Sequence, residues 1–157
     1  MIVVNDGSKD DTAAFVQGKY VKALGADKFR VLALHRNNGK GGAVRKGMVR
    51  GRGEFLLMAD ADGATQASDL TRLLEEIRPL AGARGAPAIA IGSRAHMEND
   101  AGASAARSPL RRLLMWGFHT FIKLMLGGSK IKDPQCGFKL VTRSAAALLF
   151  PVQHIDR

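Results

Sequence analysis

Cysteine occurs once in 157 residues, at Cys136, so no disulfide can form within the chain. The four histidines, His35, His96, His119 and His154, are scattered and have no cysteine partners. They show no metal-ligand spacing and no paired nucleophile, and read as structural or solvent-facing side chains. Long apolar runs are also missing: none reaches the roughly 18 uncharged residues of a membrane span. The N-terminus lacks a basic leader followed by an apolar stretch and a small-residue cleavage site, so the sequence as it stands predicts neither a spanning helix nor a secretory signal. Proline is sparse, at 5 residues, and no internal repeat or low-complexity tract occurs. With 46% hydrophobic and 24% charged residues, the composition excludes disorder, collagen and coiled coil and permits one packed core.

Acidic residues are the other shortage, 14 against 24 Lys and Arg, for a net charge of +10. The imbalance is local. Residues 28–52 hold eight basic side chains and no acid, and residues 107–143 hold eight with one acid, Asp133. Such stretches attract nucleic acid, an anionic membrane face or phosphorylated small molecules. The acids gather instead around residues 6–11 and 60–62.

Short apolar runs at residues 2–4, 30–34, 55–59 and 88–91 are too short for helices, and the first three are each followed by Gly, Asn or Asp; all four read as buried strands. Helical patterns at 10–24, 42–52 and 68–77 lie between them, the last capped by Ser68 or Thr65. Strand and helix in alternation predict an α/β fold with a parallel sheet. Residues 80–86 and 98–108 read as surface loops of a single domain. Pro109 can open a helix over 110–126, which is strongly apolar but carries Arg111, Arg112, His119 and Lys123. That segment is either a core helix or an amphipathic helix in a membrane interface. A short strand at 137–141 and a helix at 142–150 complete the pattern.

Ligands of open parallel sheets bind beyond the carboxyl ends of the strands. Asp60 and Asp62 follow the third run, and Gly63 allows the turn that would make them converge. Two such carboxylates near an apolar core need a cation, and Mg²⁺ or Mn²⁺ suits a site of one or two carboxylates completed by substrate phosphates. The competing reading is a turn that caps the helix at Ser68. Asp6 likewise follows the first run and either accepts hydrogen bonds from a base or ribose or caps the helix near Asp10. Lys40 within Gly39, Gly41 and Gly42 offers backbone N–H groups and a positive charge at a helix start, an anion site without the spacing of an ATPase P-loop.

Taken in order, VVNDGSKDDT, NNGKGGAVRKG, LMADADGAT, IGSRAHME, LLMWGFHTFIKLM and DPQCGFKLVTR resemble the inverting family-two glycosyltransferases over nearly the whole chain. The resemblance extends to members that move glucose from UDP-glucose to dolichyl phosphate at the cytosolic face of the endoplasmic reticulum membrane, for protein N-glycosylation. It implies an A-type glycosyltransferase fold, Rossmann-like, with a mostly parallel sheet flanked by helices. It places Asp6, Gly7, Ser8, Lys40, Gly41 and Asp60 on the nucleotide-sugar side, and Asp60 and Asp62 on the acidic motif that meets the donor and a divalent metal. Arg94, Gln135 and Lys139 fall on stretches bordering the acceptor and sugar pockets, with cationic support from Arg94, Lys139 and Arg111 or Arg112. Asn5 stands where many relatives carry a second Asp.

The resemblance also implies catalysis without a strong base, by Asp60, Asp62 and Arg94. A phosphate monoester, with a second pKa of about 6, is already largely dianionic and can attack directly. Relatives begin before Met1, with a membrane helix and a further strand, and continue past Arg157. Residues 1–157 are therefore expected to be a partial catalytic domain, incomplete at both ends and of low solubility and activity by itself. A sibling transferase using GDP-mannose and a catalytically inactive truncated product are the alternatives within the family. A basic nucleic-acid-binding module would explain the charge but not the acids after the strands, so nucleic acid is not expected as a partner.

Overall fold

The computed structural model describes residues 1–63, 65–93, 117, 120–121 and 133–154. Strand β1 (Ile2–Asn5) pairs in parallel with β2 (Arg30–Ala33), Ile2 opposite Arg30 and Asn5 opposite Ala33. The crossover between them is one helical passage: α1 (Thr12–Val16), a π-helical turn (Gln17–Val21) and α2 (Lys22–Leu24). The wider turn brings Phe15 and Tyr20, five residues apart, edge to face at 6.3 Å, and Tyr20 stacks on Phe29 at 5.6 Å. This cluster closes the crossover onto the start of β2.

A second sheet has the order β3 (Phe55–Met58), β5 (Lys139–Thr142), β4 (Ile89–Ile91). The α/β class and the flanking helices agree with expectation, and β3 and β4 run in the same direction. They are not neighbours, however. β5 lies between them and antiparallel to both, with Lys139 opposite Met58 on one side and Ile91 on the other. Being central, β5 is buried on both faces, and its alternating side chains serve two clusters. Phe138 and Leu140 join Cys136, Ala90, Leu73 and Ile77, whose helix α4 (Asp69–Ala81) covers one face. Val141 joins Leu56, Met48, Ala145 and Ala146, from α3 (Gly39–Met48) and α5 (Arg143–Leu149), on the other. Each fully buried side chain of the Ile77 or Leu140 kind contributes roughly 1.5–3 kcal/mol.

Several helix boundaries depart from the sequence reading, among them the end of α3, at Met48 rather than residue 52. α4 runs past Ile77 and through Pro79 to Ala81, because Ile77 and Ala81 are both buried against the sheet and that packing outweighs proline's preference for an extended predecessor. Ser68 precedes α4 without a side-chain cap bond. α3 begins at Gly39 rather than Gly42, drawn forward by the anchoring of Asn38 described below. The expected helix over 110–126 lies outside the described residues apart from Gly117, Thr120 and Phe121, which are helical and exposed. Among the described residues no helix is long and apolar enough to cross a membrane.

Because Met58 and Ile91 end their strands opposite Lys139, which begins β5, the segments after β3, after β4 and before β5 all emerge at one edge of the sheet.

Candidate active site

The loop after β1 is built around its own first residues. Asn5 is buried, and its Oδ1 accepts a hydrogen bond from the Ser8 N–H at 3.0 Å, folding the chain back. Asn5 is thus a turn-forming amide. Gly7 has φ of +75°, and a Cβ there would lie 2.9 Å from the Asn37 nitrogen. Only glycine lets this loop lie against the loop after β2. Ser8 is exposed at the loop surface.

Asp6 uses that proximity. Its Oδ1 accepts from the Asn38 backbone N–H at 2.7 Å and from Asn38 Nδ2 at 3.4 Å. Asp6 does not cap the first helix; there Asp10 Oδ1 accepts from the Thr12 hydroxyl at 2.5 Å and the Thr12 N–H at 3.1 Å. The Thr12 hydroxyl, and secondarily its N–H, hold the Asp10 carboxyl below its ordinary value. Asn38 is 4% exposed. Its Nδ2 also donates to the Arg36 carbonyl at 2.5 Å, and its Oδ1 accepts from Lys46 Nζ, one helical passage further on. Asn38 therefore fixes the Asp6 carboxylate and the start of α3 together. Its sequence signal was only its place in the polar loop after β2.

Gly41 lies in the first turn of α3, and from the same turn Lys40 reaches across to the loop after β3, its Nζ donating to Asp60 Oδ2 at 2.6 Å. Gly137 packs against Asp60, where a Cβ would stand 2.1 Å from Asp60 Oδ2 and 2.6 Å from its Cγ. Segments following β2 and β3 and preceding β5 thus meet on one carboxylate. The closeness of Gly137 to Asp60 is a tertiary fact; in the sequence Gly137 is only the middle of QCGFK. Asp62 is exposed on the following turn, which Gly63 closes with φ of +72°.

Lys139 opens β5 on the same sheet face as its pair partner Met58, the face covered by α3 and α5. Gln135 is exposed, its N–H donating to Asp133 Oδ1 at 3.2 Å. The segment is tied to β4 where the Gly92 N–H donates to the Phe138 carbonyl at 2.9 Å. Arg94 and Arg111 lie outside the described residues.

The donor set suits a hard divalent ion in one respect. Asp60 and Asp62 supply carboxylate oxygens at an open edge. Among the described residues no three His, Cys, Asp or Glu side chains converge, so any such ion would need oxygens from a substrate, as Mg²⁺ and Mn²⁺ commonly take them.

A two-sided α/β layer with acidic and basic loops gathered at the strand ends is the setting of the site, and the chain belongs to glycosyl transferase family 2, whose sequence profile matches residues 1–150. It is similar to dolichyl-phosphate beta-glucosyltransferases: 51% identical over 157 residues to that of Drosophila melanogaster and 49% to that of Homo sapiens, with 100% of this chain and 47% of each relative covered. The Saccharomyces cerevisiae protein of the same name is 42% identical over 163 residues, covering 99% of this chain and 48% of the relative. The chain spans about half the length of the curated relatives it matches.

Proposed function

We propose that this chain contributes the donor-binding half of an enzyme that transfers glucose from UDP-glucose to dolichyl phosphate, giving dolichyl β-D-glucosyl phosphate. The observation that carries this reading is the convergence on Asp60 of Lys40, from the start of α3, and Gly137. The similarity to dolichyl-phosphate beta-glucosyltransferases over the full chain supports glucose as the group transferred and dolichyl phosphate as the acceptor.

In this reading Asp6, fixed by Asn38, orients the uridine part of the donor through carboxylate hydrogen bonds. Lys40, in the first turn of α3, would face the diphosphate. Asp62 and Asp60 would hold Mg²⁺ or Mn²⁺, which when bound offsets the charge developing on the departing UDP. The acceptor is a phosphate monoester, largely dianionic near neutral pH, so its oxygen attacks the anomeric carbon without a dedicated base. In-line displacement on an α-linked donor inverts the centre and yields the β product. The chain's task is positioning and electrostatic support, to which Arg94, Arg111, Gln135 and Lys139 contribute on the acceptor side. A polyprenyl acceptor places the reaction at a membrane surface, taken here as the cytosolic face of the endoplasmic reticulum.

Transfer of radiolabelled glucose to dolichyl phosphate, with Mg²⁺, Mn²⁺ or EDTA, tests the reading on this chain and on a version extended at both ends. UDP-glucose is expected to serve and GDP-mannose to fail; the reverse preference would assign the chain to a sibling transferase. Asp62→Asn, nearly isosteric, is expected to lower turnover by orders of magnitude without unfolding the protein.

A further inference from the structure

The Lys40–Asp60 pair joins two groups that the proposed reaction needs for different purposes, one for the donor diphosphate and one for the cation. Lys40 Nζ sits 2.6 Å from Asp60 Oδ2, with side-chain exposures of 64% and 34%. Beside that oxygen the Gly137 backbone leaves no room even for a methyl group. The same oxygen is thus crowded by the Gly137 backbone and bonded by Lys40. A metal ion that binds Oδ2 must compete with the ammonium for it.

We infer that Lys40 is a displaceable internal cation: it neutralises Asp60 before a metal binds, and is transferred to the donor diphosphate when a divalent ion takes its place. The inference rests on the transferase reading above and adds an exchange step to it. The chemistry of the two cations favours the exchange. An ammonium is a single point charge on a flexible stem, whereas the incoming ion carries two charges and prefers carboxylate and phosphate oxygens. An ion pair this exposed is weak, so the exchange is easily driven. Once released, Lys40 remains tethered in the first turn of α3, whose positive end would favour a phosphate group there. The neighbouring cation Lys46 is engaged with Asn38 Oδ1 and does not substitute for it.

The exchange predicts effects of opposite sign from a single substitution. In a Mn²⁺ titration of the full chain without nucleotide, followed by electron paramagnetic resonance, Lys40→Met is expected to tighten Mn²⁺ binding by roughly 2- to 5-fold, the range of an exposed ion pair. In saturating Mn²⁺ the same variant is expected to weaken UDP binding, measured calorimetrically, by a similar or larger factor. Lys40→Gln should repeat both effects, Lys40→Arg should show neither in full, and the gain in Mn²⁺ affinity should vanish on an Asp60→Asn background. Circular dichroism checks that each variant is folded. Mn²⁺ affinity unchanged or reduced in both neutral variants overturns the exchange; if Mn²⁺ still promotes UDP binding in them, the transferase reading stands. Mn²⁺ binding that is absent, or indifferent to Asp60→Asn and Asp62→Asn, overturns the cation site and the exchange together.

Discussion

Gly137 matters through the volume it leaves empty. A methyl group at this position would overlap the Asp60 carboxylate, and because Asp60 is partly exposed the side chain would swing outward rather than strain the sheet. Gly137→Ala is therefore expected to leave the melting temperature nearly unchanged while misplacing the carboxylate by about an ångström. Misplacement on that scale costs on the order of 10²-fold in rate. Transfer assays beside thermal melts check this, and a variant with normal turnover would show that Asp60 has no fixed position to lose. The same example marks the limit of reading residues in order. Asp60, Asp62, Asp6 and Lys40 were legible because each is a charged residue just past an apolar run. The roles of Gly137 and Asn38 depend on what approaches them from distant segments, and no local pattern encodes a missing Cβ or a buried amide's three partners.

Among elements, the strands were the most legible, since each is a short apolar run and most stop at Gly, Asn or Asp. Their order was not. Nothing in the local pattern of β5 distinguishes a central antiparallel strand from an edge strand, except that Leu140, Val141 and Thr142 are buried in succession. Thr142 makes the link between that strand and the helix after it. Its Oγ1 accepts from the Ala145 N–H at 3.2 Å as the cap of α5 and from the Ala88 N–H at 3.0 Å at the entry to β4. With 2% of its surface exposed, water cannot replace these bonds. Thr142→Ala is expected to destabilise the fold by about 1–3 kcal/mol, combining a lost cap with an unsatisfied buried donor, whereas Thr142→Ser keeps the hydroxyl and most of the stability. Urea denaturation of the pair decides it; equal losses would mean that the methyl, not the oxygen, carries the effect.

At the scale of the molecule, the +10 charge and the proposed lipid-linked acceptor meet in one expectation. The chain should sediment with vesicles containing anionic lipid at low ionic strength and be released as salt shortens the screening length below about 10 Å, while neutral vesicles bind it weakly. Equal binding to both vesicle types would remove the electrostatic account. The central position of β5 also has a consequence in time. Arg143 Nε donates to the Gly53 carbonyl across 90 residues of sequence, and the β3–β5 ladder forms beside that bond. At about 5–20 residues per second, a ribosome releases β3 roughly 5–18 s before its partner. The β1–β2 unit can close early, but through that interval β3 and β4 have no strand between them. Among the described residues, β3 and β4 have no strand partner other than β5, so they wait for it until residues 139–142 emerge, which makes the second sheet the point where chaperones have most to protect during synthesis.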